Sequence, residues 1–434
     1  MSGGGITLNS FELAYGKERL SFELPSSVKV QEIEAKTSQA ILDIVEGVRQ
    51  AVTHPLGTAP LIELVKPGDK VVIVVSDITR LWIRTEVLLP VLLDVLNEAG
   101  VPDQDISIVT ATGDHRLQTV EEHTAICGEA VLARVSVYDH ECQAPDLVDL
   151  GLSSQGTPIR VNRRVWEADK VILTGGIAYH LLAGFGGGRK SIAPGVCGYE
   201  MIQKNHALAL KEAGPSGLNP NIETGKMAGN PVAEDMLEIA RKVGVDFILN
   251  VVVNEKKEFV YFAAGELHQA HLAGCRVVEE IFGIKIKKKA DLVFVSCGGY
   301  PKDIQLYQAI KALDNATYAV REGGVIILVS ECSDGIGSRP FEEFFHYGDV
   351  EDMSAKLHQD FTMPGFVSLR TASICRKTPV ILISSLSEDV VKRMKMLPAS
   401  SPAEAWQLAT QILEGQPESI YIMPHGGNTF PIMS

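Results

Sequence analysis

The chain has 434 residues, too many for one ordinary core, so two or three domains are expected. An apolar share of 45% is that of a globular protein, and a formal charge of -14 argues against general affinity for nucleic acid or anionic membrane, which needs basic clusters. No apolar run approaches the roughly 18 residues of a membrane span, and the opening MSGGGITLNS lacks the charged and apolar regions of a signal peptide, so a soluble, cytoplasmic protein is expected.

Short Val- and Ile-rich runs alternate with helix-like segments. In chain order they are VVIVVSD (71–77), ISIVTATGD (106–114), KVILTGG (170–176) and FILNVVVN (247–254). A basic stretch, IKIKKKAD, then opens a second series: DLVFVSCGG (291–299), VIILVSEC (325–332), PVILISS (379–385) and SIYIMPHGG (419–427). Continuous apolar strands between helices predict an α/β protein of two domains, each a mainly parallel sheet flanked by helices. The spacing places the first domain at 1–285, joined by the tail 412–434, and the second at 286–411. Seven cysteines, scattered and never in a CxxC pair, indicate neither a disulfide framework nor a zinc–thiolate site.

Ligands of open α/β sheets bind beyond the carboxyl ends of the strands. Three such ends carry chemistry: Ser76-Asp77-Ile78-Thr79-Arg80, Asp114-His115-Arg116, and His180 beyond KVILTGGIAY. They are expected to converge on one rim, with the active site in a cleft between the two domains.

Just past His180 lies GFGGGRKS (184–191), a near miss to the P-loop pattern G-x-x-x-x-G-K-[ST], with Arg189 where the last glycine would stand. A P-loop follows its strand directly and pairs with a magnesium-binding aspartate, whereas here a histidine-bearing segment intervenes. Gly186, Gly187 and Gly188 could expose N–H donors to a phosphorylated ligand beside Lys190, or form a plain turn whose lysine is a surface charge. VCGYEMIQKNHALAL reads as helical and brings His206 sixteen residues beyond Lys190; alone, it would be an ordinary helix-surface histidine. His268 and His271 in GELHQAHLAG are three apart on a helix, a spacing that suits a metal, but no third ligand is evident and a solvated face is the better reading. His425 in MPHGGNTF belongs to a glycine-rich turn, in a tail that could return to the first domain.

Taken together, SDITR (76–80), TGDHR (112–116), AYHLLAGFGGGRKSIAPG (178–195), NH (205–206) and YPKDIQLYQAIKAL (300–313) resemble the lactate racemase family, in order and over most of the chain. The resemblance implies an isomerase that racemises a 2-hydroxy acid by reversible hydride transfer. Its implied cofactor is a nickel-pincer nucleotide, a pyridinium-3,5-bisthiocarboxylic acid mononucleotide made by cofactor-synthesis proteins. On this resemblance Lys190 is the attachment point, His206 the protein ligand to nickel, and His115 and His180 the acid–base pair. Arg80, Tyr307, Gln308 and Lys311 are then the substrate anchors, and Asp77 a supporting carboxylate. Gln308 and Lys311, three apart, would share one helical face, and Arg80 offers a planar fork for a carboxylate. Two departures touch substrate choice. LWIRTEVL follows SDITR where the family often has prolines, which puts Trp82 and Arg84 in a different loop, and a family aromatic falls loosely on Phe366. An epimerase of a longer hydroxy acid or sugar acid, or a non-catalytic binder of a nucleotide-like ligand, are the competing readings.

Overall fold

The computed structural model describes residues 8–211 and 217–434; the first seven residues, part of the opening taken above to lack a leader, lie outside it. Thr37–Ala209 with Asn219–Glu279 forms one compact unit, and the other described residues form a second.

In the first unit a six-stranded sheet runs in the order Phe259–Gly265, Phe247–Val253, Lys170–Gly176, Val71–Ser76, Ile106–Ala111, Ser136–Asp139, parallel except for the first pair. The strands are Val/Ile runs because both faces are covered: Val71 to Val75 are all buried. On one face Val71, Ile73 and Val75 pack with Leu88, Leu92 and Leu96 of the helix Thr85–Glu98, each fully buried side chain contributing about 1.5–3 kcal/mol. From Val71–Ser76 the chain winds outward through Ile106–Ala111, then returns to place Lys170–Gly176 on the opposite side. The order therefore reverses at Val71–Ser76, and a crevice beyond that strand's carboxyl end is where such a sheet takes a ligand.

The second unit holds another six-stranded sheet, all parallel, in the order Leu397–Ala399, Val380–Ile383, Val320–Val329, Ala290–Ser296, Ser419–Met423, Lys29–Glu32. Here the structure departs from the expected boundaries. The tail 412–434 does not join the first sheet: Ser419–Met423 pairs with Ala290–Ser296, and Phe430–Met433 pairs with Gly283–Ile286. The amino-terminal residues up to 36 also fold here, because Lys29–Glu32 adds a parallel edge beside Ser419–Met423 and the hairpin Leu8–Tyr15/Glu18–Pro25 covers one face. Phe22 meets Phe294 edge to face at 5.1 Å, and Asp303 Oδ2 accepts the N–H groups of Gly16 (2.7 Å) and Glu331 (3.2 Å).

Candidate active site

Strands Val71–Ser76 and Ile106–Ala111 are neighbours in register, Ser76 opposite Ala111, so the loops after them leave the same edge side by side. That juxtaposition sets Asp77 Oδ2 2.5 Å from His115 Nδ1. Asp77 is 4% exposed, whereas half of the His115 side chain is open to solvent. Burial alone would raise the Asp77 carboxyl, but the bonds from His115 and from Thr79 Oγ1 (2.5 Å) outweigh it and hold it below the usual range. The same bond to Asp77 raises the imidazole of His115 above its ordinary value, against partial burial. With Nδ1–H donated to the carboxylate, Nε2 is the ring nitrogen left to exchange a proton in this half-exposed side chain. Arg80, exposed on the same loop, donates to Thr79 Oγ1 at 2.9 Å.

The third strand end supplies a lysine–histidine pair. His180 Nδ1 accepts the N–H groups of Leu182 (3.1 Å) and Ala183 (3.2 Å), and its Nε2 lies 3.2 Å from Lys190 Nζ. Enclosure of that amine, with Arg189 and Arg80 close by, lowers its pKa to about 7. His206 is 7% exposed, near enough to Lys190 for that charge to act on it. Chiefly through burial its pKa falls to about 3, so it is neutral at pH 7. Its Nδ1–H donates to Ile202 O at 2.8 Å, which leaves Nε2 as a lone-pair donor. Asp77, Arg80, His115, His180, Lys190 and His206 all belong to the first unit; the first five follow strand ends, and His206 comes from the helix Tyr199–Ala207, close to Lys190.

The glycine turn is built differently from a phosphate cradle. The N–H of Gly186 donates to Ala178 O (2.8 Å) and that of Gly188 to Asn250 Oδ1 (2.6 Å), so these donors are spent inside the protein. The glycines serve close packing. A Cβ on Gly188 (φ 52°) would come within 2.8 Å of the His271 ring, and one on Gly184 (φ 73°) within 2.3 Å of Lys226 O. His271 does not face solvent as expected. It is 2% exposed, donates from Nε2 to Gly186 O (2.8 Å), and receives Arg189 Nη1 at Nδ1 (3.4 Å). The buried Arg189 also donates to Ala183 O (2.7 Å) and Ala233 O (3.1 Å), binding the turn to its floor. Three apart on a helix, His268 and His271 resembled a metal pair, and nothing in that spacing foretold a brace. Among the described residues no group of three or more His, Cys, Asp or Glu side chains could hold a metal by itself.

Trp82 and Arg84 are packing residues: the Trp82 ring lies over Gly176, and the Arg84 guanidinium stands 5.1 Å from the centre of the buried Phe259 ring. Tyr307, Gln308 and Lys311 lie on the second unit's helix Leu306–Ala316, where Lys311 Nζ donates to Gln308 Oε1 at 3.1 Å on an exposed face. Phe366 is wholly buried in that unit's core, so it presents no aromatic face to a ligand. His425 sits in a turn of the second unit, its Nδ1 buried without a hydrogen-bond partner.

Comparison with known proteins matches residues 15–216 to the lactate racemase N-terminal domain and 285–430 to the lactate racemase C-terminal domain. The chain belongs to the lactate racemase family. It is an isomerase of the racemase class, and its mixed α/β, two-domain fold is that of the family. A lactate racemase of Thermoanaerobacterium thermosaccharolyticum is 33% identical over 426 residues, 96% of this chain and 98% of the relative. One from Lactiplantibacillus plantarum is 32% identical over 429 residues, with the same coverage. The structure of the Thermoanaerobacterium lactate racemase apoprotein superposes with a TM-score of 0.86, covering 98% of this chain and 100% of that one. A Thermotoga maritima protein of known structure, 20% identical with a TM-score of 0.63 over 92% of this chain, shares the fold. No helix among the described residues is long and apolar enough to cross a membrane.

Proposed function

We propose that the protein racemises lactate or a close 2-hydroxy acid, using a nickel-pincer nucleotide joined to the Lys190 amine. One observation carries this reading: the enclosed Lys190 amine lies 3.2 Å from His180 Nε2 and close to the buried imidazole of His206, whose Nδ1–H is committed to Ile202 O. The donor set fits the group. His206, whose Nδ1–H is committed to Ile202 O, would hold the nickel through its other ring nitrogen, a donor of the kind nickel(II) accepts. When bound, the group supplies a reversible acceptor for the C2 hydrogen of the substrate.

The chain's own residues handle charge and protons. Arg80, exposed beside Asp77, is suited to the substrate carboxylate. Gln308 and Lys311, a hydrogen-bonded pair on one face of the helix Leu306–Ala316, and Tyr307 of the same helix are further substrate anchors in this reading. His115, held by Asp77 through Nδ1, has Nε2 available to exchange the hydroxyl proton of one enantiomer. His180 is proposed as its counterpart for the other enantiomer: with Nδ1 accepting two backbone N–H groups, its neutral ring presents Nε2–H, the donating form. Loss and return of the C2 hydrogen on opposite faces of a planar 2-oxo acid then inverts the centre.

The test is the intact mass of protein made in a host that synthesises the nucleotide. A mass increment mapping to Lys190, absent from Lys190→Ala, is expected together with loss of lactate racemisation. An increment that persists in Lys190→Ala would contradict the reading.

A further inference from the structure

Asp77 stands at the N-cap of the helical turn Ile78–Ile83, where a carboxylate ordinarily folds back onto the turn's first N–H groups. It makes no such bond: one oxygen is taken by His115 and the other by Thr79 Oγ1. The first N–H of the turn, on Ile78, goes instead to the side chain of Gln118, whose Oε1 accepts it at 3.0 Å. Gln118 lies three residues beyond His115 on the neighbouring loop. Its Nε2 donates to Arg116 O (3.0 Å) and its own N–H donates to Asp139 Oδ2 (2.7 Å) at the end of the next strand. Asp139 is fixed in turn by His123 Nε2 at 2.8 Å. One amide thus spans the two loops that carry Asp77 and His115, anchored to a third strand.

His115 needs such a device because half its side chain is exposed, so packing alone does not orient the ring. We infer that Gln118 is a positioning residue for the acid–base pair: by capping the turn in place of Asp77, it leaves that carboxylate free to face His115 and fixes the separation of the two loops. This rests on the acid–base role proposed for His115, but its physical content, the geometry of the Asp77–His115 bond, can be measured without turnover.

Besides Asp77, the charges that face His115 are Asp114 and Arg80, and neither is altered by Gln118→Met or Gln118→Asn, which add no charge of their own. The test is the His115 titration by NMR in unloaded full-length protein with labelled histidine, the resonance assigned by its loss in His115→Gln. Gln118→Met keeps the side-chain length but removes the acceptor, Gln118→Asn keeps the amide but stops short of Ile78, and Gln118→Glu keeps an acceptor. In Gln118→Met and Gln118→Asn the midpoint is expected to fall toward the unperturbed histidine value of about 6.5. In the loaded enzyme, Gln118→Met should lose about ten- to a hundredfold in kcat with little change in KM, and Gln118→Glu should recover part of it. If one of the two variants does not fold, the other decides. A folded Gln118→Met or Gln118→Asn that leaves the His115 midpoint at the wild-type value overturns the inference, even if racemisation is confirmed. A shifted midpoint in a protein without racemase activity would uphold it while removing the functional reading.

Discussion

His180 Nε2 stands 3.2 Å from Lys190 Nζ while its Nδ1 accepts two backbone N–H groups, from Leu182 and Ala183. An imidazole whose Nδ1 is an acceptor on both counts carries its proton on Nε2 when neutral, and that proton points at the lysine nitrogen. A ring N–H can be accepted only by an unprotonated amine. The hydrogen-bond pattern and the enclosure of Lys190 therefore agree: near neutral pH a large share of this lysine, about half, is free amine.

Lys190 should consequently be the most reactive lysine of the unloaded protein. At pH 7.5 most of a group with pKa about 7 is free amine, against on the order of one part in a thousand for an ordinary lysine. Brief treatment with a small amine-acylating reagent at pH 7–7.5, read by peptide mapping, is expected to label Lys190 first, with the rate levelling off above pH 8. Labelling no faster than at the exposed lysines would contradict the free-amine assignment.

On the proposed attachment and ligation, His206→Ala should keep the fold and the mass increment at Lys190 but lose nickel. Metal analysis beside intact mass checks this. Unchanged nickel content would move the ligand elsewhere.

The Asp77–His115 bond has a pH signature. Its folded-state effect is to raise the histidine, so the stabilisation is fully present below the unfolded value of about 6.5 and is lost as pH rises through the folded value. The carboxylate adds a second window: Asp77 is held below the ordinary range, so its contribution is present above the unfolded aspartate value and lost as pH falls through the folded one. Asp77→Asn should therefore lower Tm more at pH 6 than at pH 9, by a modest amount because His115 is half open to water, while kcat falls on the order of a hundredfold or more. Equal Tm losses at both pH values would show that the ion pair is not what Asp77 contributes.

Much of this site was legible in the sequence because it sits where topology puts chemistry, at strand ends. Asp77, Arg80, His115 and His180 all follow Val/Ile runs whose strand assignment needed only their apolar continuity. Domain membership was less legible. The strand Lys29–Glu32 is short and largely polar, and its place beside Ser419–Met423 depends on pairing across most of the chain, which local pattern cannot encode. The glycine turn misled differently. Glycine marks close approach but not what approaches: a Cβ on Gly188, Gly187 or Gly184 would meet His271, Asn250 or Lys226. Gln118 left no signal at all, since its role is defined by a hydrogen bond to a loop forty residues away.

Gly184→Ala should be among the most damaging single changes in the turn, at about 3 kcal/mol or more, because it combines left-handed backbone with a clash against a main-chain carbonyl. Chemical denaturation of the unloaded protein measures it. A cost below about 1 kcal/mol would mean that the segment around Lys226 yields, and that the turn is not held as rigidly as its packing implies.

The most direct measurement follows L-lactate incubated with the nucleotide-loaded protein in heavy water, with chirality and the C2 proton read together during early turnover. Racemic lactate that keeps its C2 proton is expected, because the hydrogen leaves and returns without meeting solvent while His115 and His180 exchange only the hydroxyl proton. Extensive deuterium at C2 would instead make the two histidines carbon bases, and unchanged chirality in fully loaded protein would contradict the racemase function itself.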